Sequence, residues 1–175
     1  MELTLDSISL SEAILAYLED APALLIIAMG LAAFIESLAI VGVIVPGVAI
    51  IVAFSLLAST AEVEVFPLLL SGAVGSFLGD SVSFWLGKHS KDALLLWRPL
   101  KKRPELVARA YKFCHRYGIA SLLIGRFIGP LRPLVPMTAG ILNYSWNRFL
   151  LAALIGCLLW APVYILPGYY SVQLF

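Results

Sequence analysis

Apolar residues fall in long blocks along the chain, separated by short polar stretches. Residues 22–60 hold a single charge, Glu36, in 39 positions, nearly twice the ~20 residues that cross a hydrocarbon core once. Gly42, Pro46 and Gly47 interrupt this block near its middle. It therefore either spans twice or forms two shorter helices that dip in and return. Tight turns at membrane depth are tolerated only where protein covers their backbone. After the acidic step at Glu62 and Glu64, a third apolar helix is predicted at about 65–87, carrying Asp80.

A second apolar block occupies 117–142 and is also broken centrally, by Gly129, Pro130, Pro133 and Pro136. Three prolines in seven residues preclude one regular helix there. The last helix is predicted at about 146–166, starting near Trp146, Asn147 and Arg148, with Pro162 close to its far end. Between the two halves lies a polar interlude, 88–116, in which Leu94, Leu95, Leu96 and Trp97 suit the membrane interface and Pro104–Arg116 suits a surface helix.

The order is the same twice: a broken apolar hairpin, then a crossing helix. The interlude carries nine Lys/Arg against Asp92 and Glu105, a net of +7 with histidines neutral. Basic segments favour the cytoplasmic side, so 88–116 is expected inside and 61–64 outside, with the acidic N-terminus outside as well. The halves then have opposite orientations, as in transporters built from inverted repeats and broken helices. The resulting expectation is an all-α integral membrane protein of two facing broken or re-entrant helical hairpins plus transmembrane helices. It comprises an acidic N-terminal segment, 1–21, which an interface can accommodate, and a single membrane domain, 22–175.

Composition agrees. Only 13% of residues are charged, against roughly 25% in an ordinary soluble domain, and mean hydropathy is +0.96. The N-terminus is acidic where an export signal needs a basic region, so the apolar stretch after it is expected to stay in the membrane. Cys114 and Cys157 have neither metal-ligand spacing nor a redox partner, and His89 and His115 stand 26 residues apart without an acidic or cysteine cluster. No metal and no cofactor is expected. The absence of a positioned Ser/His/acid arrangement argues against an enzyme. The basic run is assigned to solvation and orientation of a membrane protein, not to nucleic acid.

The charges inside the apolar blocks carry the functional reading. Glu36, if ionised and exposed to lipid, would cost ~2.5–3.5 kcal/mol on insertion scales, so it is expected to titrate or to face a polar interior. Arg126 and Arg132 cannot shed their charge by deprotonation. The Gly129-Pro130 break between them allows both guanidinium groups to turn towards one cavity, where their planar forks suit a carboxylate or phosphate. The alternatives are a structural clamp to Glu36 or Asp80, and snorkelling to the surface. Asp80 lies in GSFLGDSVSFWLGK, whose Gly75, Ser76, Gly79 and Gly87 permit close helix approach. Arg148, beside Trp146, reads as an interfacial anchor.

Three segments resemble the DedA family, also described by the VTT domain. They are GRFIGPLRPLVPMTAG at 125–140, GSFLGDSVSFWLGK at 75–88 and FIESLAIVGVIVPG at 34–47. The resemblance implies a multi-pass protein of the bacterial inner membrane. It also implies movement of phospholipids or polyprenyl-phosphate carriers between leaflets, with protons as a coupling ion in some members. Carried over by motif are Glu36, Arg126 and Arg132, with Asp80 less directly; the hairpin turns are read from the breaks at Pro46, Gly47, Gly129, Pro130, Pro133 and Pro136. One departure counts against proton coupling. Val48 follows Gly47 where proton-coupled members often place a second acid. The expected function is thus a lipid transporter or scramblase. The alternatives are an ion-coupled transporter of a small solute and a non-transporting membrane scaffold. A homo-oligomer is compatible with the sequence.

Overall fold

A computed structural model describes residues 22–39, 41–42, 47–90, 101 and 104–171. The acidic segment 1–21, Pro46 and the Leu94–Trp97 run lie outside the described residues. Those described form seven α-helices: α1 (Pro22–Ser37), α2 (Gly47–Thr60), α3 (Val65–His89), α4 (Pro104–Tyr117), α5 (Ala120–Ile124), α6 (Leu134–Ile141) and α7 (Trp146–Ser171). Two short 3-10 turns, Gly125–Phe127 and Gly129–Leu131, join α5 to α6.

Length separates the helices into classes. The 25 residues of α3 and 26 of α7 reach about 37 and 39 Å at ~1.5 Å per residue, enough for a hydrocarbon core of ~30 Å. The described lengths of α1 and α2, 16 and 14 residues, reach about 24 and 21 Å. With 5 and 8 residues, α5 and α6 reach only about 8 and 12 Å, too short for either to cross alone. Prolines explain part of this pattern. Pro136 sits in the first turn of α6, where the missing N–H had no intrahelical partner to lose.

The last helix differs from the expectation. It does not end near 166 but continues to Ser171, with both Pro162 and Pro167 inside it. Membrane helices tolerate such prolines because neighbouring helices satisfy the freed backbone groups. Here the far end of α7 is held on α2, where Gly168 packs against Ser55 and Val52. The Tyr169 hydroxyl also donates to the Val63 carbonyl at 2.7 Å.

The helices carry an outer surface unlike that of a soluble bundle. On α3, Phe66, Leu70, Val74, Leu78, Val82 and Trp85 form an exposed stripe at helical spacing, while Ser76, Asp80 and Ser83 on the opposite face are buried. On α7, Leu151, Leu154, Ile155, Leu158, Leu159 and Val163 face outward, while Ala152, Ala153, Gly156 and Cys157 face inward. So continuous an apolar outer surface is stable in hydrocarbon, not in water. The chain is an all-α membrane protein. By contrast α4 is strongly amphipathic, with Ala110 and Cys114 buried and its inner face packed on α6.

Packing exchanges the arms of the two hairpins. In the first, α1 packs on α3 and α2 on α7; in the second, α5 packs on α7 and α6 on α3. Each crossing helix is therefore flanked by the first arm of its own hairpin and the second arm of the other, the exchange a two-fold-related repeat would produce. Glycine permits the approach. A Cβ on Gly75 would strike the Gly30 carbonyl of α1, and one on Gly140 would strike the Phe84 carbonyl of α3.

Candidate functional site

The break after α1 brings the site together. Glu36 is the penultimate residue of α1, where the helix leaves carbonyls without intrahelical donors. Ser83 on α3 covers this end: its hydroxyl donates to the Ser37 carbonyl at 3.1 Å and accepts from the Ala39 amide at 2.9 Å. The irregular backbone at membrane depth is thus clothed by protein. Gly47, the first residue of α2, lies against the Glu36 side chain, and a Cβ there would fall 2.6 Å from its Cδ and 2.8 Å from its Cβ. Gly42, before α2, similarly faces Pro133 of the second hairpin, a Cβ on it lying 3.0 Å from the Pro133 Cβ. The two hairpins meet at their breaks.

Arg126 stands in the first 3-10 turn and Arg132 just before α6, separated by Ile128 in an extended conformation (φ −100, ψ 90). The extended residue reorients the chain so that both side chains turn inward, and each is 4% exposed. Arg126 Nη2 pairs with Asp80 Oδ2, and Arg132 Nη1 pairs with Glu36 Oε1. Arg126 Nη1 donates to Ser76 Oγ at 2.9 Å, while Arg132 Nη2 lies 3.4 Å from the same oxygen and 3.3 Å from Ser37 Oγ. The two guanidinium groups therefore converge, as the sequence suggests, but they close on carboxylates and hydroxyls. Electrostatics favours the second pair: a carboxylate at a helix C-terminus and a guanidinium at a helix N-terminus each oppose the local dipole, and each offsets the other's.

Trp160 completes the arrangement from α7. Its ring centroid lies 3.8 Å from the Arg132 guanidinium carbon, a cation–π contact strengthened by the burial of both groups. Gly156, one turn earlier, leaves room for Arg126, since a Cβ there would lie 2.8 Å from Arg126 Nε. Sequence reasoning assigns no role to Ser37 or Trp160, and it treats Ser76 only as a packing residue. The available signal is positional: Ser37 adjoins Glu36, and Ser76 lies one turn before Asp80 on the same face of α3.

Of the turn residues, Gly129 and Pro130 lie in the second 3-10 turn, Pro133 caps α6 and Pro136 lies within it. Arg148 is exposed in the first turn of α7. Val48 is also exposed, at 38%, so no second acid supports Glu36 from that position. Among the described residues no group of three or more His, Cys, Asp or Glu is placed to hold a metal.

Beside the charges runs an apolar groove of about 310 Å³ between α1 and α2, lined by Leu31, Ala32, Ile35, Glu36, Ile50 and Phe54 among others. A second, of about 380 Å³, lies on the other side of α1 against α3, lined by Ile27, Phe34, Ser71 and Leu78 among others. Both open where the outward residues face lipid.

The VTT domain model matches residues 45–170. Inner membrane protein YabI of Escherichia coli is 42% identical over 143 residues, which is 82% of this chain and 56% of YabI. An uncharacterized membrane protein of Buchnera aphidicola subsp. Schizaphis graminum is 36% identical over 82% of this chain and 57% of its own length. One from Mycobacterium bovis is 33% identical over 83% of this chain and 69% of its own. The chain thus spans little more than half the length of the first two of these relatives. No solved structure matches. The family match, these relatives and the paired arginines and acids inside two broken hairpins lead to one conclusion: the chain belongs to the VTT-domain, or DedA, family of membrane proteins.

Proposed function

We propose that this protein moves phospholipid or polyprenyl-phosphate headgroups between leaflets of the bacterial inner membrane. The observation that carries the reading is the convergence of two permanently charged guanidinium groups on one hydroxyl oxygen, Ser76 Oγ, inside the membrane. Each guanidinium is closed by a carboxylate that a phosphate can replace with the same forked geometry. The grooves flanking α1 supply apolar surface for acyl or prenyl chains while the headgroup passes the charges. Exchange of one anion for another keeps the cations paired throughout, and the displaced carboxylate escapes the several kcal/mol of an uncompensated buried charge by taking up a proton. Glu36 then limits overbinding, because it competes for Arg132 as the headgroup leaves.

The scaffold reading has its own support, since both ion pairs are complete without any ligand. Transport by purified protein in vesicles separates the two. Lipid movement that falls in Arg132→Lys and falls further in Arg132→Gln, each normalised to folded protein, supports headgroup contact. Equal movement of neutral and anionic lipids, indifferent to both substitutions, would exclude it. A response to an imposed ion gradient without lipid movement would instead identify an ion-coupled solute transporter.

A further inference from the structure

Outside the buried cluster, charge is divided between the two ends of the bundle. The turn between α2 and α3 exposes Glu62 and Glu64. At the other end Lys88 lies in the last turn of α3 and Arg148 in the first turn of α7, both exposed. Helix α4 joins them there, its Leu106 and Val107 sharing an apolar cluster with Leu86 of α3 and Ile141 of α6. Positions 109, 112 and 116 of α4 recur at i, i+3 and i+7, which is one face of a helix. Arg109, Lys112 and Arg116 are all exposed on that face, and Ala110 and Cys114 on the opposite one are buried. Glu105, four residues before Arg109, is the acid of this stripe. The ion pairs among the described residues are the two of the buried cluster, so none of these acids neutralises the stripe.

The partner of such a stripe is set by where it lies. Exposed aromatic rings surround it: Tyr111 and Tyr117 on the flanks of α4, and Trp85 and Trp146 at the same end of α3 and α7. Amphipathic rings of this kind settle at the headgroup level, and basic segments favour the cytoplasmic side, where the leaflet surface is negative. A nucleic acid or a soluble acidic protein would need the stripe clear of the membrane, whereas the ring of aromatics favours the headgroup layer. We propose that the outer face of α4 is a docking surface for anionic phospholipid headgroups, held by Arg109, Lys112 and Arg116. This contact is separate from the buried cluster and stands whether or not that cluster passes headgroups. The inner face of α4 packs on α6 and on the 3-10 turn that precedes Arg132, and the Tyr144 hydroxyl donates to the Cys114 carbonyl at 2.8 Å. Lipid docked on α4 therefore anchors the hairpin that carries both buried arginines.

The test reconstitutes the full chain in phosphatidylcholine vesicles. Electron spin resonance then compares the association of spin-labelled phosphatidylglycerol with that of spin-labelled phosphatidylcholine. Wild type should prefer phosphatidylglycerol at low salt, and the preference should fall between about 50 and about 500 mM salt as the Debye length shortens. Buried pairs are screened much less, so the salt-sensitive part reports the exposed stripe, and any headgroup at the buried cluster stays in the salt-resistant part. Lys112→Gln should lower the salt-sensitive preference about two- to fivefold, the share of one base near a charged surface. Arg109→Gln/Lys112→Gln/Arg116→Gln should remove most of it. Arg109→Lys/Arg116→Lys keeps the charge and should leave the preference as in wild type. Glu105→Gln takes the acid out of the stripe and should raise it. If the triple variant does not fold, Lys112→Gln and Glu105→Gln still carry opposite signs. A salt-sensitive preference that survives the triple substitution undiminished overturns the proposal, as does a shift of Lys112→Gln and Glu105→Gln in the same direction. Wild type without any salt-sensitive preference also overturns it, and would leave the stripe to a soluble acidic partner.

Discussion

The Asp80–Arg126 pair should behave as a single energetic unit, and its two halves should fail unequally. Their side chains are 2% and 3% exposed, so neither charge has water to fall back on. Asp80→Asn leaves Arg126 with the Ser76 hydroxyl at 2.9 Å and no counter-charge. Breaking a buried pair in this way costs about 3–5 kcal/mol, and a guanidinium cannot escape by deprotonation. Arg126→Gln orphans the carboxylate, which can take up a proton and become neutral, so the smaller loss is expected there. The double substitution Asp80→Asn/Arg126→Gln removes both charges and should recover much of the stability lost in Asp80→Asn. The assay is a double-mutant cycle by reversible unfolding in lipid-detergent micelles. Neutral interhelical hydrogen bonds in membranes couple by only ~0.6 kcal/mol on average, because the unfolded chain also finds partners there. A coupling energy clearly above that value supports the buried ion pair. A coupling at or below it, or a double variant as unstable as the sum of its parts, would refute the reasoning.

Other substitutions test neighbouring contacts. Gly47→Ala drives a methyl group into the Glu36 side chain. It should lower stability by about 1–3 kcal/mol, measured by the same unfolding assay, and an unaltered midpoint would argue against Gly47 abutting Glu36. Trp160→Leu removes the ring under Arg132 and should weaken anionic-lipid binding more than Trp160→Phe, which keeps a π face; equal effects would dismiss the cation–π contact. Glu36→Gln should flatten any pH dependence of transport in vesicles while leaving insertion intact, and an unchanged profile would remove Glu36 from the pH response. Cys114 is fully buried on α4, and burial pushes its thiol above the ordinary range. Because the thiolate is the reactive form, labelling by maleimide should be slow at neutral pH and accelerate only as pH climbs past the usual thiol value. Fast labelling of native protein at neutral pH would contradict that burial.

Much of this fold can be read from the sequence because lipid imposes simple rules. The block lengths separate crossing helices from broken ones, and the prolines at 130, 133 and 136 locate the break in the second hairpin. The end of α7 is less legible. Pro162 in isolation reads as a stop, and the contacts that hold the end of the helix, Gly168 on Ser55 and Val52 and the Tyr169 hydroxyl on the Val63 carbonyl, come from residues distant in sequence. Glu36, Asp80, Arg126 and Arg132 stand out because a charge in an apolar block demands an explanation. Their pairing does not, since each arginine has two acids within reach of a plausible topology. Ser37, Ser76 and Trp160 are harder still. Serine is a common small residue at membrane helix contacts, and a lone tryptophan in an apolar helix carries no polar signal, so their roles appear only once three helices meet.

The distribution of charge between elements also restricts how the molecule can open. Both guanidinium groups belong to the second hairpin, whereas their carboxylates belong to α1 and α3. No rearrangement within the second hairpin alone can exchange partners, because it holds no acid between α5 and α6. Moving that hairpin away from α3 breaks the Arg126 pair, and moving it away from α1 breaks the Arg132 pair. Doing both at once in a dry interior would orphan four charges, at several kcal/mol for each ion pair. Release of one pair at a time lowers that barrier, and on the proposed headgroup reading an oxyanion would replace the departing carboxylate while the latter takes up a proton. The Glu36 pair is the better candidate to yield first. It joins two broken segments near an open groove, whereas Asp80 sits on α3, a continuous helix packed on both sides. Locking Glu36 to Arg132 should therefore stop lipid movement more completely than locking Asp80 to Arg126. One cysteine cross-link between the two hairpin breaks, where Gly42 faces Pro133, and another between α3 and α6, which pack on each other, each scored for transport before and after reduction, distinguish this order from its reverse.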